Sequence, residues 1–228
     1  MATDEGIRGT PPAEERLAVR LAAGPMTGTT TARTTAVSAL ADLGRVDLAV
    51  YRATAETPTP ALDSPMRRLS DAANRSRLWL AIAGAMAVLG GHTGRRAGGV
   101  GVVAIAVDSA VVNIGFKLVA RRSRPDRDSA GVPVVRRVPL PHSASFPSGH
   151  TASGFAFANA VGQRLPAVAA PLRLLACAVG YSRVHTGVHY PGDVIMGAVI
   201  GATVGQVVGW ALWRVPSMAP LRRLCSRR

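Results

Sequence analysis

Residues 194–213 read VIMGAVIGATVGQVVGWALW, twenty residues without a charge. About 20 predominantly apolar residues cross the roughly 30 Å hydrocarbon layer of a bilayer as a helix, so this stretch predicts a membrane span. Working back along the chain, Gly98–Phe116 offers nineteen residues with Asp108 as the one charge, and Leu78–Gly91 a charge-free run of fourteen. His150–Gln163 is apolar but short, and Leu165–Ser182 is interrupted by Pro166, Pro171 and Arg173. Five apolar segments without strand alternation or internal repeat define the fold class as all-α: an integral membrane helical bundle of about five transmembrane helices.

Before the first of these segments the pattern changes. Residues 1–40 mix Pro, Gly, Thr, Ala and paired charges without a sustained period, so 1–43 is expected to be a disordered tail. No apolar core follows a basic start in the first thirty residues, and no cleaved targeting segment is expected. Val46, Ala49, Val50 and Ala53 share one helical face, as do Leu62, Met66, Leu69 and Ala73. With Arg52, Arg67 and Arg68 alongside, these are amphipathic helices, either lying on a membrane surface or packed on the domain. The expected organisation is a membrane-embedded domain over 44–213 and a basic carboxyl tail over 214–228.

Charge points to an anionic partner. The 27 basic residues outnumber the 13 acidic ones, giving a net charge of +14. Residues 1–77 are nearly neutral, with ten Arg against nine Asp or Glu, so the excess lies in the apolar two thirds. Aromatic residues make up only 4% of the chain and the Arg clusters fall between apolar runs, which argues against nucleic acid. Cys177 and Cys225 give neither a disulfide framework nor zinc-ligand spacing.

The polar residues at the ends of the apolar segments form three groups. Lys117, the only lysine of the chain, is followed after six residues by Arg124-Pro125. Next comes Pro147-Ser148-Gly149-His150, and then Ser182-Arg183, five residues, His189, three residues and Asp193. This set resembles the three-part signature of the type 2 phosphatidic acid phosphatase superfamily, over roughly residues 44–213. Alternating span direction puts all three groups on one face of the bundle, which agrees with the five-span count.

The residues themselves suit phosphoryl transfer, in which negative charge on equatorial oxygens is stabilised by fixed donors and cations. Lys117, Arg124 and Arg183 supply three cations. Ser148 and Gly149 open an apolar helix whose unpaired first-turn N–H groups form an anion site, and His150 is placed to protonate the leaving oxygen. Asp193, one turn from His189, fixes its tautomer and frees the other ring nitrogen. The resemblance implies that His189 is the nucleophile and forms a phosphohistidine, that no cofactor or metal is needed, and that the partner is a phosphorylated membrane lipid.

A polyprenyl diphosphate or polyprenyl-linked sugar phosphate of envelope synthesis is the expected substrate, with phosphatidate or phosphatidylglycerol phosphate as alternatives. A vanadate-dependent haloperoxidase is disfavoured by the spans, and a non-catalytic lipid-binding protein would not need His150, His189 and Asp193 together. A cell-membrane location follows from the spans; oligomeric state and the side that carries the site stay open. His185 lies inside the third motif without being a signature position, and Arg136-Arg137 forms either a solvated basic loop or a headgroup contact. Asp108 lies nine residues before Lys117 and Arg173 ten before Arg183, which predicts an Asp108–Arg173 pair within the bundle.

Overall fold

The computed structural model describes residues 28–117, 120 and 122–214. Of the tails expected at 1–43 and 214–228, residues 1–27 and 215–228 lie outside the described residues, and residues 28–43 and 214 are helical. The chain divides into Met1–Val46 and Asp47–Arg228, and the packing and the site below belong to the second unit.

Every regular element among the described residues is helical. Helix α1 (Gly28–Glu56) starts well before the Val46–Ala55 stretch and is followed by α2 (Pro60–Ala72). A tight turn at Asn74–Ser76 leads into α3 (Arg77–Leu89), and α4 (Gly91–Ala110) continues as a π-helical turn, Val111–Phe116. After a long loop come α5 (Gly149–Gly162), α6 (Pro166–His185) and α7 (Pro191–Arg214). Pro166 falls at the start of α6, where its missing N–H breaks no helical bond.

A helix therefore stands at each of the five apolar segments, but they are not equal. Gly91–Phe116, Pro166–His185 and Pro191–Arg214 are long and apolar enough to cross a bilayer, with hydropathies of 1.9, 1.2 and 1.7. The protein is a multi-pass membrane protein. Helices α3 and α5, with 13 and 14 residues, reach only about 20 Å at 1.5 Å per residue. Helix α5 is enclosed by protein: ten of its residues are buried, and α4, α6 and α7 all pack on it. A helix so wrapped does not need the uniform apolarity of a lipid-facing one, which explains its weak hydropathy signal.

Close backbone approach holds this centre together. Gly197, Gly201 and Gly205 recur at every fourth position of α7 and face the carbonyls of Ser148, Ala152 and Ala156 on α5. A Cβ at Gly197 would lie 2.5 Å from the Ser148 oxygen, and Cβ atoms at the other two would clash with the α5 backbone. Apolar side chains gain little from meeting each other rather than lipid, so small residues that let backbones touch carry membrane helix packing. Trp79 and Phe157, both fully buried, fill the space between α3 and α5 with ring centroids 5.7 Å apart.

Tyr51 and Ala55 of α1 pack with Ala130, Val132 and Val184, so this part of the first amphipathic helix is seated on the domain. Arg136 is neither solvated nor at a headgroup position. It is 1% exposed and donates to Asp63 Oδ1 at 2.7 Å, to the carbonyls of Thr54, Ala55 and Thr57, and to Thr59 Oγ1. His185 Nε2 meets the same Asp63 oxygen at 3.1 Å. Arg136 thus closes the α1–α2 corner, whose carbonyls have no helical partner.

The Asp108–Arg173 pair does not form. Ser153 Oγ donates to Asp108 Oδ2 at 3.3 Å, while Arg173 Nε donates to Asn159 Oδ1 at 2.8 Å. Helix α5 lies between α4 and α6 and takes one of these residues on each flank. Counting back from two helix ends gives depth but not the direction each side chain faces.

Gly201→Leu is expected to destabilise the bundle by at least about 2 kcal/mol, because the α5 backbone cannot give way. Gly99→Ala, at an exposed interior position of α4 with nothing within 4 Å of a new Cβ, should stabilise it by about 0.5–1 kcal/mol. Unfolding of the two variants in detergent measures the contrast.

Candidate active site

Helix α6 ends in a way that aims His189. Gly187, at φ +70°, turns the chain back: its N–H donates to the Val184 carbonyl at 2.9 Å and the Val188 N–H to the Arg183 carbonyl at 2.9 Å. This is a Schellman ending, with glycine at the left-handed position. A Cβ there would be strained and would lie 3.1 Å from both Tyr51 Oη and Arg127 Cγ. The turn returns His189 over the end of α6, its N–H on the Arg183 carbonyl at 3.2 Å and its side chain only 2% exposed.

Asp193 occupies the third position of α7. Its Oδ2 accepts from the Tyr190 N–H at 3.0 Å, which satisfies a donor before the helix, and from Ser145 Oγ at 2.5 Å. His189 Nδ1 lies 3.5 Å from the same oxygen and 3.4 Å from Ser145 Oγ. Arg122 Nη1 takes the other carboxylate oxygen at 2.9 Å, while its Nη2 donates to Asp47 Oδ2 at 2.6 Å. The Arg122 guanidinium also stacks over the Tyr190 ring at 4.1 Å, and Asp47 Oδ1 accepts from the Gly192 N–H at 2.6 Å.

A carboxylate on the Nδ1 side places the imidazole proton there and leaves the Nε2 lone pair free. Arg124 Nη1 stands 3.4 Å from Nε2. Burial, with the positive charges of Arg124 and Arg183 adding to it, pushes the His189 pKa down to about 4 against the opposing pull of Asp193. The ring is therefore neutral at physiological pH.

Cations surround this nitrogen. Arg124 is locked by the carbonyls of Ser143 at 2.9 Å and Val188 at 3.1 Å. Lys117 Nζ donates to Ser143 Oγ at 3.3 Å and would lie 3.9 Å from a Cβ on Gly149, so it stands at the start of α5. Burial, then Arg124, lowers the Lys117 pKa. Arg183 is fully buried, with Nη1 bonded to the Ser70 carbonyl and hydroxyl and Nε without a partner in the protein. Lys117, Arg124, Arg183 and His189 all act electrostatically on His150.

Ser148 is engaged more than its motif suggests. Its hydroxyl shares a hydrogen with Thr151 Oγ1 at 2.9 Å, and its N–H donates to the Asp193 carbonyl at 2.9 Å. The donors that this end of α5 could offer an anion are therefore the N–H groups that follow Ser148. His150 Nε2 lies 2.9 Å from Asn74 Oδ1, an acceptor that keeps a proton on that nitrogen. A cleft of about 170 Å³ starts at Lys117 and His150 and runs between α4 and the Asn74–Ser76 turn to Asp108.

All eight predicted site residues, Lys117, Arg124, Ser148, Gly149, His150, Arg183, His189 and Asp193, thus fall at one end of the bundle. Asp47, Asn74, Arg122 and Ser145 complete the site and were not singled out in the sequence. No spacing distinguishes Arg122 from its arginine neighbours, and Asn74 and Asp47 belong to helices whose docking no motif encodes.

A sequence model of the PAP2 superfamily matches residues 98–217, a stretch that contains all three motifs. The chain belongs to this superfamily. It is 40% identical over 97 residues to the decaprenylphosphoryl-5-phosphoribose phosphatase of Mycobacterium tuberculosis, 41% of this chain and 49% of that one. Its likeness to the Mycolicibacterium smegmatis protein of the same name is 38% over 142 residues, 60% of this chain and 72% of that one. The chain thus spans about half the length of the first of these PAP2 relatives. The crystal structure of a transmembrane PAP2 type phosphatidylglycerolphosphate phosphatase from Bacillus subtilis shares the fold, with a TM-score of 0.60 at 21% identity over 78% of this chain and 89% of that one.

The depressed His189 pKa has a direct readout. In an NMR titration the His189 ring should protonate near pH 4, and Arg124→Ala, which removes a neighbouring positive charge, should move that midpoint upward. A midpoint at or above the ordinary histidine value of about 6.5 in the intact protein would contradict the arrangement.

Proposed function

We propose that this PAP2 protein is a metal-independent membrane phosphatase that removes a phosphate from a polyprenyl-linked substrate through a phosphohistidine on His189. The observation that carries this reading is the buried His189 ring, with Nδ1 turned to Asp193 and Nε2 facing Arg124. A buried, unprotonated imidazole nitrogen among cations is suited to attack an anionic phosphorus centre, because the cations neutralise the phosphate oxygens that would repel the lone pair.

The steps follow from the geometry. His189 Nε2 forms a bond to phosphorus as the bond from phosphorus to the leaving oxygen breaks, and His150, protonated on both ring nitrogens once the bound phosphate offsets the neighbouring cations, keeps its Nε2–H on Asn74 and passes its Nδ1 proton to that oxygen. Lys117, Arg124 and Arg183 hold the three equatorial oxygens, with first-turn N–H groups of α5 adding donors. Water then attacks the phosphohistidine, giving up its proton to His150, and inorganic phosphate leaves as His189 is restored. These cations supply the charge stabilisation that a divalent ion gives in other phosphoryl-transfer sites.

The substrate class draws on two supports. The site lies at one end of a membrane bundle, where a lipid phosphate is held at headgroup level, and the mycobacterial relatives are named for a decaprenyl-linked sugar phosphate.

Phosphate release in detergent with EDTA present, from a polyprenyl diphosphate, a polyprenyl-linked sugar phosphate, phosphatidate and phosphatidylglycerol phosphate, tests the reading. The intact protein should turn over a polyprenyl lipid, and a folded His189→Ala variant should lose about 10³-fold or more. Labelled phosphate should be trapped on the intact protein in an acid-labile, alkali-stable form. Undiminished release by the variant, or none from any lipid by the intact protein, would overturn the proposal.

A further inference from the structure

The cleft that runs from His150 into the bundle is not consumed by the chemistry of the phosphate. In an in-line displacement the nucleophile and the leaving group lie on opposite sides of phosphorus, and the general acid stands on the leaving side. The cleft is lined by His150 and not by His189, which places it on the leaving side. Asp108, fully buried, lies in its wall. One of its oxygens accepts from Ser153 Oγ at 3.3 Å, and the other, Oδ1, has no donor in the protein. The partner once expected for this carboxyl, Arg173, is held by Asn159 on the far flank of α5.

A buried acceptor without a donor is costly, so a carboxyl kept in that state beside a reaction centre is suited to a donor brought by a ligand. Different leaving groups offer it different things. A lipid-linked sugar brings hydroxyls, which donate. The phosphate left behind by a diphosphate brings acceptor oxygens and negative charge, and the diacylglycerol left by phosphatidate brings no free hydroxyl but the reacting one. Arg75, at the mouth of the same cleft, offers a cation to the phosphodiester that joins such a sugar to its lipid.

We propose that this cleft receives the leaving group and that Asp108 selects one bearing ring hydroxyls, a lipid-linked sugar, over a lipid diphosphate. The inference rests on the phosphatase reading above and deepens it. Asp108 acts here as a specificity determinant, because it touches the leaving group rather than the phosphorus.

Two comparisons test it. The intact protein is given a short-chain prenyl-phosphoryl pentose bearing a terminal phosphate, and the analogue in which the two free ring hydroxyls are replaced by hydrogen. A site built to bond a hydroxyl rejects the analogue lacking it, so kcat/KM should fall at least tenfold. In Asp108→Ala the same ratio should shrink to less than threefold. The first comparison needs no variant and can overturn the proposal even if Asp108→Ala does not fold.

Equal turnover of sugar and analogue by the intact protein, a preference for prenyl diphosphate, or an equal loss on both substrates in the variant would each overturn the proposal. Any of these results leaves phosphohistidine chemistry standing. Absence of phosphate release from every lipid by the intact protein removes that chemistry and the selection with it.

Discussion

The hydrogen bond from the Ser148 N–H to the Asp193 carbonyl joins the second motif to the third, and the site depends on it. It exists because α5 and α7 approach until only glycine fits between them, Gly197 lying directly under the Ser148 carbonyl. Through Asp193 the same contact governs the His189 ring, and through the start of α5 it governs His150. His189 and His150 are thus referenced to one backbone junction rather than to two independent loops. Packing without a strong hydrophobic drive between helices achieves this by shape, which fixes position more tightly than greasy contact would.

The charges around His189 form a second constraint. Asp193 does not neutralise the cations of the site, because its carboxylate is shared among Arg122, Ser145, the Tyr190 N–H and the His189 ring. Asp47 takes the other arm of Arg122. Lys117, Arg124 and Arg183 are left with carbonyl and hydroxyl partners and no carboxylate. Three cations without an anion, Arg183 fully buried and Lys117 and Arg124 half-buried, are unfavourable side by side and would be favourable around a phosphate. The folded protein thus holds a counter-charge deficit suited to an anionic ligand.

Much of this was legible in the sequence, and the gaps have physical causes. Helical periodicity and apolar length located the segments, and the resemblance of the helix-end residues to a family signature singled out eight residues that the fold brings to one end of the bundle. Periodicity could not show that α5, 14 residues long, is wrapped by protein, since burial against neighbours is not encoded locally. Asp108 and Arg173 were placed at matching depth, but the π-helical turn before Lys117 and the intervening α5 make depth an incomplete coordinate. Arg136 reads as one more basic loop residue until the carbonyls of the α1–α2 corner are seen to converge on it. Arg122, Ser145 and Asn74 act through contacts between segments distant in sequence, which a single chain does not reveal.

The Schellman ending of α6 has a kinetic meaning. Since Gly187 closes the helix and the next two N–H groups bond back to Arg183, the segment that carries His189 has few states to sample before attack. Its reorganisation is spent during folding rather than at each turnover. His189 is consequently as fixed as the helix terminus that bears it, and a different kind of segment holds the other histidine of the site. There Asn74 holds His150 from a turn whose next two residues, Arg75 and Ser76, both sit at positive φ. The two histidines are thus held by unlike devices, a closed helix end for one and a turn in the left-handed region for the other.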